Sequence, residues 1–350
     1  MSALPQADPD AERQAFYARA DTQHLAPLWM RLKSLVPAAP APVGLPHCWR
    51  YADIRPHVME SAHLISAAEA ERRVLILENP GLKGSSQVTN TLFAGLQLIM
   101  PGEVAPAHRH TQSALRFVIE GLGAYTAVDG EKTIMQPGDF VITPSWTWHH
   151  HGHEADGPMV WLDGLDIPIV RYFNATFRQD HDQAEAEVSR PVGDSLARYG
   201  SGLLPVGHRA GSLNSPVFNY PWARTREALY QLARGSDPDS HTGHLLRYVN
   251  PVDGGWAMPT IAAMIRLLPA RFATLPYRST DAAVFVGVEG QGRLSVAGQT
   301  LAIGPHDVAV VPGWLPYTLH AGSDDWVLFS YSDRVVHEKL GFWREQRDAA

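Results

Sequence analysis

His108 and His110 stand one residue apart, and His149 follows 41 residues after His108. Apolar runs such as Leu115–Ile119 and Phe140–Ile142, bounded by Gly, Pro and Asp, fill the interval. These are strand and turn signals. Alternate residues of a strand share a face, so His108 and His110 project together, as do His149 and His151, while His150 faces the other way. Any one histidine among 17 is ordinarily a surface or hydrogen-bonded residue. The spacing Gly102-x5-His108-x-His110 followed by Gly138-x5-Pro144-x4-His149 points instead to three imidazoles closing on one metal ion. Two His plus a carboxylate suit non-haem Fe(II) oxygenases. Three neutral imidazoles leave the full metal charge uncompensated, which favours a chelating anion beside dioxygen.

Other residues in the same strands have chemistry to offer. Arg116 interrupts an apolar strand and shares parity with His108 and His110. A buried Arg without a partner is costly. It therefore grips a substrate carboxylate through its planar fork, the preferred role, or pairs internally with Glu120 or Asp163. His151 can bond a phenolate or move a proton near neutral pH, or it can hold a ligand histidine's tautomer. Gln97 breaks the apolar run Leu92–Met100 and shares parity with Gly95 and Phe93. Its amide either faces a cavity or bonds backbone at a barrel rim. Gly95 leaves room for a flat ring or marks a bulge. Asp163 orients Arg116 or a ligand histidine, or merely ends its strand. Arg72 follows a helix-like stretch, Ala67–Arg73, and by itself is a solvated charge.

The two histidine motifs resemble those of the cupin barrel. That pattern usually adds a Glu four or five residues after the second His, where this chain has Ala114 and Leu115. The longer string from His108 to Gly121, with Thr91 to Glu103 before it and Pro144-Ser-Trp-Thr-Trp-His149 after it, is similar to the gentisate 1,2-dioxygenase family. Salicylate and 1-hydroxy-2-naphthoate dioxygenases belong to the same group. Further segments, from Arg72-Arg73-Val74 to Met258-Pro-Thr260, carry the resemblance over most of the chain. It implies a mainly β bicupin of two double-stranded β-helix (jelly-roll) barrels. It implies Fe(II) as cofactor, held by His108, His110 and His149. The implied reaction inserts both atoms of O2 into a hydroxylated aromatic acid, between the carboxylate-bearing carbon and the adjacent hydroxyl-bearing carbon. Arg116 and His151 would be catalytic, with Gln97, Arg72, Asp163, Phe93 and Gly95 around the substrate.

Gentisate is the first substrate so implied, giving maleylpyruvate, with salicylate or 1-hydroxy-2-naphthoate second. Two departures bear on that choice. Phe93 stands where Tyr is common, and Trp148-His149-His150-His151-Gly152-His153 replaces Trp-His-Asp-His-Gly-Asn. More distant possibilities are a metal-dependent cupin isomerase and a non-enzymatic bicupin. The missing Glu and the Arg-bearing strand oppose the isomerase, and the intact histidines oppose the non-enzyme.

The motif recurs. Tyr277 to Gly290 aligns without gaps on His108 to Gly121, and Asp307-x4-Pro312-x-Trp314 aligns on Asp139-x4-Pro144-x-Trp146. Such self-similarity means two copies of one structural unit. Tyr277, Ser279 and Tyr317 replace the three histidines in the second copy, so a barrel without metal is expected there. The resulting division is an N-terminal helical arm over 1–80, a metal-bearing barrel over 81–180, a connecting segment with helices over 181–260, and a second barrel over 261–350.

Composition narrows the partners. The net charge of −7 comes with no basic patch, which speaks against nucleic acid. An anionic substrate must therefore be drawn by the metal, Arg116 and Arg72 locally. No apolar run approaches membrane-spanning length, and Met1 to Arg13 lacks the layout of a secretion signal. The single cysteine, Cys48, forms no intramolecular disulfide, which fits the cytoplasm. The resemblance implies a homo-oligomer, often a tetramer.

Overall fold

The computed structural model describes residues 9–209 and 211–347; the first eight residues of the expected arm lie outside them. The chain forms two compact units, Met1–Ala41 and Pro42–Ala350. The smaller holds helices α1 (Pro9–Asp21) and α2 (Leu28–Leu35), in which Trp29 Nε1 donates to Tyr17 Oη at 3.0 Å. Residues 42–80 belong to the larger unit and are not wholly helical. They comprise β1 (His47–Trp49), α3 (Tyr51–Leu64), α4 (Ala67–Ala70) and β2 (Val74–Ile76).

Next comes the first barrel, with β3 (Phe93–Ile99), β4 (Val104–His110), β5 (Ala114–Glu120), β6 (Ala124–Val128), β7 (Glu131–Ile134), β8 (Phe140–Thr143), β9 (His149–His153) and β10 (Met159–Leu165). The connection holds α5 (Ile167–Tyr172), β11 (Arg178–Asp180), α6 (Asp194–Tyr199), β12 (Asn219–Tyr220), α7 (Trp222–Gly235) and β13 (His244–Arg247). The second barrel has β14 (Ala262–Leu268), β15 (Arg278–Ser279), β16 (Ala283–Glu289), β17 (Gly292–Val296), β18 (Gln299–Ile303), β19 (Val308–Val311), β20 (Tyr317–Ala321) and β21 (Trp326–Ser332). The chain closes with α8 (Arg334–Lys339) and β22 (Glu345–Gln346). No described helix is long and apolar enough to cross a membrane.

Each barrel is a jelly roll of two antiparallel sheets. The first pairs a sheet of order β12-β8-β5-β10-β3-β2 with one of order β11-β4-β9-β6-β7. The second pairs β1-β19-β16-β21-β14-β13 with β18-β17-β20. The protein is thus a bicupin, as the repeat requires. The connecting segment is more than a linker. Its β12 and β13 edge one sheet of each barrel, and β11 lies along β4 opposite His108 and His110.

The large sheets of the two barrels share one core. Phe117 stacks on Phe329 at 4.2 Å between ring centroids, with Phe140 and Tyr248 beside them. Gly164 gives the Tyr331 ring space, since a Cβ there would lie 2.9 Å from it, and Tyr331 Oη donates to the Phe93 carbonyl at 3.0 Å. Truncating a buried aromatic costs about 3–5 kcal/mol. Phe329→Ala, although in the second barrel, should therefore lower the melting temperature of the first barrel with it. Two separate melting transitions, only one of them shifted, would contradict the shared core.

Candidate metal centre and substrate cavity

The histidine strands are oriented by what packs on their other faces. Arg109, between His108 and His110, lies between the Trp146 and Trp148 rings, with its Cζ 4.6 Å from each centroid. A register shift between Ala105 and His108 brings His108 directly opposite His149. Among the described residues, His108, His110 and His149 each present a ring nitrogen, and all three nitrogens lie within 4.8 Å of one another.

The ring tautomers follow from the hydrogen bonds. His110 Nδ1 lies 2.8 Å from the Gln112 carbonyl, and His149 Nδ1 lies 3.0 Å from the Thr147 carbonyl. A carbonyl only accepts, so these Nδ1 atoms carry the protons and donate, leaving each Nε2 lone pair free for a metal. Burial foremost depresses all three pKa values, to about 3 for His108, about 4 for His110 and well below the ordinary range for His149. The nearby Arg72 charge adds to the depression at His108. Neutral imidazoles converging on one point are the donor set a divalent transition metal takes.

His108 is pulled two ways. Its Nδ1 is 3.2 Å from the Pro106 carbonyl and 2.7 Å from Arg72 Nη2, which also donates to the Pro106 carbonyl at 2.7 Å. Arginine only donates, so these two contacts demand opposite tautomers. The tautomer that donates to Pro106 leaves Nε2 for a metal and deprives Arg72 of an acceptor. Arg72 then keeps its bond to the Pro106 carbonyl and has one N–H of Nη2 left over at the cavity it lines. Glu71, at a positive φ of 53°, sets the kink that aims Arg72, and the Glu71 side chain is tied to Arg178 on β11.

Arg116 is 3% exposed. Its Nη1 donates to Thr143 Oγ1 at 2.6 Å and its Nη2 to His151 Nε2 at 2.9 Å. Its Nε has no hydrogen-bond partner among the described residues and lies 3.7 Å from Asp163 Oδ1. Asp163 stands opposite Arg116 across the β10–β5 pair and accepts from Trp161 Nε1 at 3.0 Å. Burial raises the Asp163 pKa to about 6 against the opposing pull of Arg116. Of the two internal partners considered for Arg116, Asp163 is near it, whereas Glu120 pairs with Arg55 at 2.9 Å.

A cavity of about 340 Å³ joins these groups, lined by Arg72, Phe93, Gln97, Arg116 and Asp163 together with the three histidines. Two sequence candidates stand behind its wall. His151 is fully buried and backs Arg116; its pKa is driven well down by burial and then by that guanidinium. It is neutral, accepts through Nε2, and is not among the residues lining the cavity. Gly95 makes room for a neighbour: a Cβ there would lie 2.5 Å from Val74 Cγ1 and 3.2 Å from the Phe93 ring. Gly95→Ala should therefore press Val74 and Phe93 into the cavity and raise KM more for a bicyclic acid than for a monocyclic one. Overpacking of this kind costs about 1–3 kcal/mol. An unchanged KM ratio between the two acids would contradict that assignment.

His150 has the expected parity but is not solvent-facing. It is 1% exposed, beneath Glu185 and Ala186 of the connection. His153 Nε2 donates to the Gly157 carbonyl at 2.6 Å. Neither lines the cavity. Sequence reasoning missed the apolar wall of Val74, Ile76, Leu165 and Ile167, as well as Thr143, which seats Arg116. The run Val74-Leu75-Ile76 was a signal for β2, but nothing local showed that it pairs beside Gln97.

Residues 95–165 match the cupin domain family. Over 96% of this chain and 97% of the relative, the sequence is 52% identical to gentisate 1,2 dioxygenase 1 of Aquipseudomonas alcaligenes. The chain belongs to the gentisate 1,2-dioxygenase family. Within that family it is 33% identical to the 1-hydroxy-2-naphthoate 1,2-dioxygenase of Nocardioides sp. strain KP7, over 99% of this chain and 90% of the other. The crystal structure of salicylate 1,2-dioxygenase from Pseudoaminobacter salicylatoxidans, solved with gentisate, superposes with a TM-score of 0.91 at 33% identity, covering 99% of this chain and 96% of that one. The sequence likeness to ring-cleaving gentisate 1,2-dioxygenases spans nearly the whole chain, and the three-histidine centre supports a metal cofactor.

Proposed function

We propose that this protein is an Fe(II)-dependent dioxygenase that opens the ring of gentisate to maleylpyruvate, between the carboxylate-bearing and adjacent hydroxyl-bearing carbons. One observation carries the proposal: three neutral nitrogen donors and a buried guanidinium share one cavity. The 52% identity to a gentisate enzyme supports gentisate over the alternatives.

In this proposal His108, His110 and His149 hold the iron. Fe(II), when bound, supplies Lewis acidity toward the anionic substrate and the redox step that dioxygen chemistry needs. Arg116 takes the substrate carboxylate, its Nε free and its other nitrogens pinned by Thr143 and His151. Asp163 balances that charge from 3.7 Å, too far to take the Nε hydrogen bond for itself. Arg72, Gln97 and Phe93 orient the ring and its hydroxyl, and Val74, Ile76 and Leu165 keep the cavity dry. His151 positions Arg116 by accepting its N–H, and Gly95 sets the width.

The proposal extends to a homo-oligomer working in the cytoplasm, supported by the single cysteine and the family likeness. It also keeps the division into an arm, a metal-bearing barrel, a connection and a metal-free barrel, supported by the repeat. Metal-free protein, reloaded anaerobically with Fe(II), should consume oxygen most efficiently with gentisate when gentisate, salicylate and 1-hydroxy-2-naphthoate are tested in parallel. Equal uptake with salicylate would move the substrate assignment, and no uptake with any of them would reject the activity.

A further inference from the structure

The second barrel also encloses a cavity, of about 210 Å³, and its lining is not that of a filled core. Arg266 projects into it from β14 and is 4% exposed. The guanidinium is hydrogen-bonded to the Tyr317 hydroxyl, but among the described residues its Nε and Nη1 have no partner. A guanidinium buried with unpaired N–H groups is costly, so its retention calls for an anion that the barrel itself does not provide. The neighbouring acids are engaged elsewhere. Glu345 accepts from Tyr277 Oη at 3.1 Å and faces Arg347 at 3.8 Å, while Asp281 accepts from Trp343 Nε1 at 3.1 Å.

The register of the repeat shows how this barrel differs from the first. Gln97 on β3 pairs with Trp161, and the equivalent pair is Arg266 with Leu328. Arg116 on β5 faces Asp163, and the equivalent pair is Phe285 with Ser330. The guanidinium has thus moved from one strand to its neighbour once removed in the sheet, and an aromatic ring stands where it was. The Arg266 Cζ lies 5.7 Å from the Phe285 centroid. Hydroxyl groups of Tyr277, Ser279 and Tyr317 stand where the first barrel has its histidines, and Ser330 Oγ is buried without a partner among the described residues. A cation with two open N–H groups, the open Ser330 hydroxyl and an apolar wall that includes Phe285 and Leu315 match one ligand chemistry.

We propose that the C-terminal barrel is a second binding site, in which Arg266 holds the carboxylate of a small organic acid and Phe285 packs against its apolar body. This site does not depend on the reaction assigned to the first barrel. Benzoate is the probe, since it carries a carboxylate and a ring and lacks the hydroxyl needed for chelation. In anaerobic calorimetric titration of the Fe(II)-loaded full chain, wild type should bind one more benzoate per chain than Arg266→Leu, and Arg116→Leu should retain that extra site. Equal stoichiometry in wild type and Arg266→Leu would overturn the proposal. A wild-type crystal grown in benzoate gives a check that needs no variant. The carboxylate should lie within hydrogen-bond distance of Arg266, and a second-barrel cavity without benzoate would overturn the proposal equally.

Discussion

His110→Ala should leave the protein folded but unable to retain its metal, with ring cleavage lost along with it. The imidazole is one of three converging donors, and its Nδ1 bond to the Gln112 carbonyl fixes the nitrogen it presents. Loss of an outer hydrogen bond to a ligand already lowers metal affinity roughly 10–100-fold; loss of the ligand itself should exceed that. His110 is only partly buried and belongs to neither apolar cluster, so the fold should survive. Metal content per chain after gel filtration, with a melting curve as control, checks this outcome. A variant that keeps stoichiometric metal would remove His110 from the site.

Arg116→Leu should behave in the opposite way, keeping the metal and losing the substrate. Truncating one member of a buried, hydrogen-bonded charged group costs about 2–5 kcal/mol, and about 1.36 kcal/mol is tenfold in rate. A fall in kcat/KM of roughly 30-fold to several-thousand-fold is therefore expected, with metal content unchanged. Equal metal loss in this variant and in His110→Ala would contradict the separation of roles.

The same substitution has a pH signature through Asp163. That carboxyl is already raised to about 6 by burial, and Arg116 opposes the rise. Without Arg116 its folded pKa climbs further above the unfolded value near 3.9. Between the two values the folded state binds more protons than the unfolded state, so stability falls as pH rises. The melting deficit of Arg116→Leu against wild type should hence be small near pH 5 and grow toward pH 8. Adding Asp163→Asn should flatten that dependence. A deficit independent of pH would mean that Asp163 does not feel Arg116.

The histidine triad was legible because a strand's two-residue period is a local property. His108 and His110 must share a face wherever the barrel puts them, and Gly and Pro mark where the strand ends. The repeat was legible for a similar reason, since two copies of one unit keep their turn residues even where Tyr277 and Tyr317 replace the ligands. Spacing alone also carried the absence of the usual Glu, because Ala114 occupies a position fixed relative to His110.

What the sequence by itself determined was therefore parity, the strand pattern and the double barrel. Only the tertiary structure decided which groups share a wall. His151 has the parity of His149, yet the packing of β9 against β5 puts it behind Arg116 and off the cavity. Arg72 looked like a solvated charge until the kink at Glu71 set it against His108. Strand β2 became part of the site only by pairing with β3, and Arg266 was left with two N–H groups open among the described residues only when a second barrel closed around it. Cross-strand register and enclosure depend on residues far apart in the chain, and no local period encodes them.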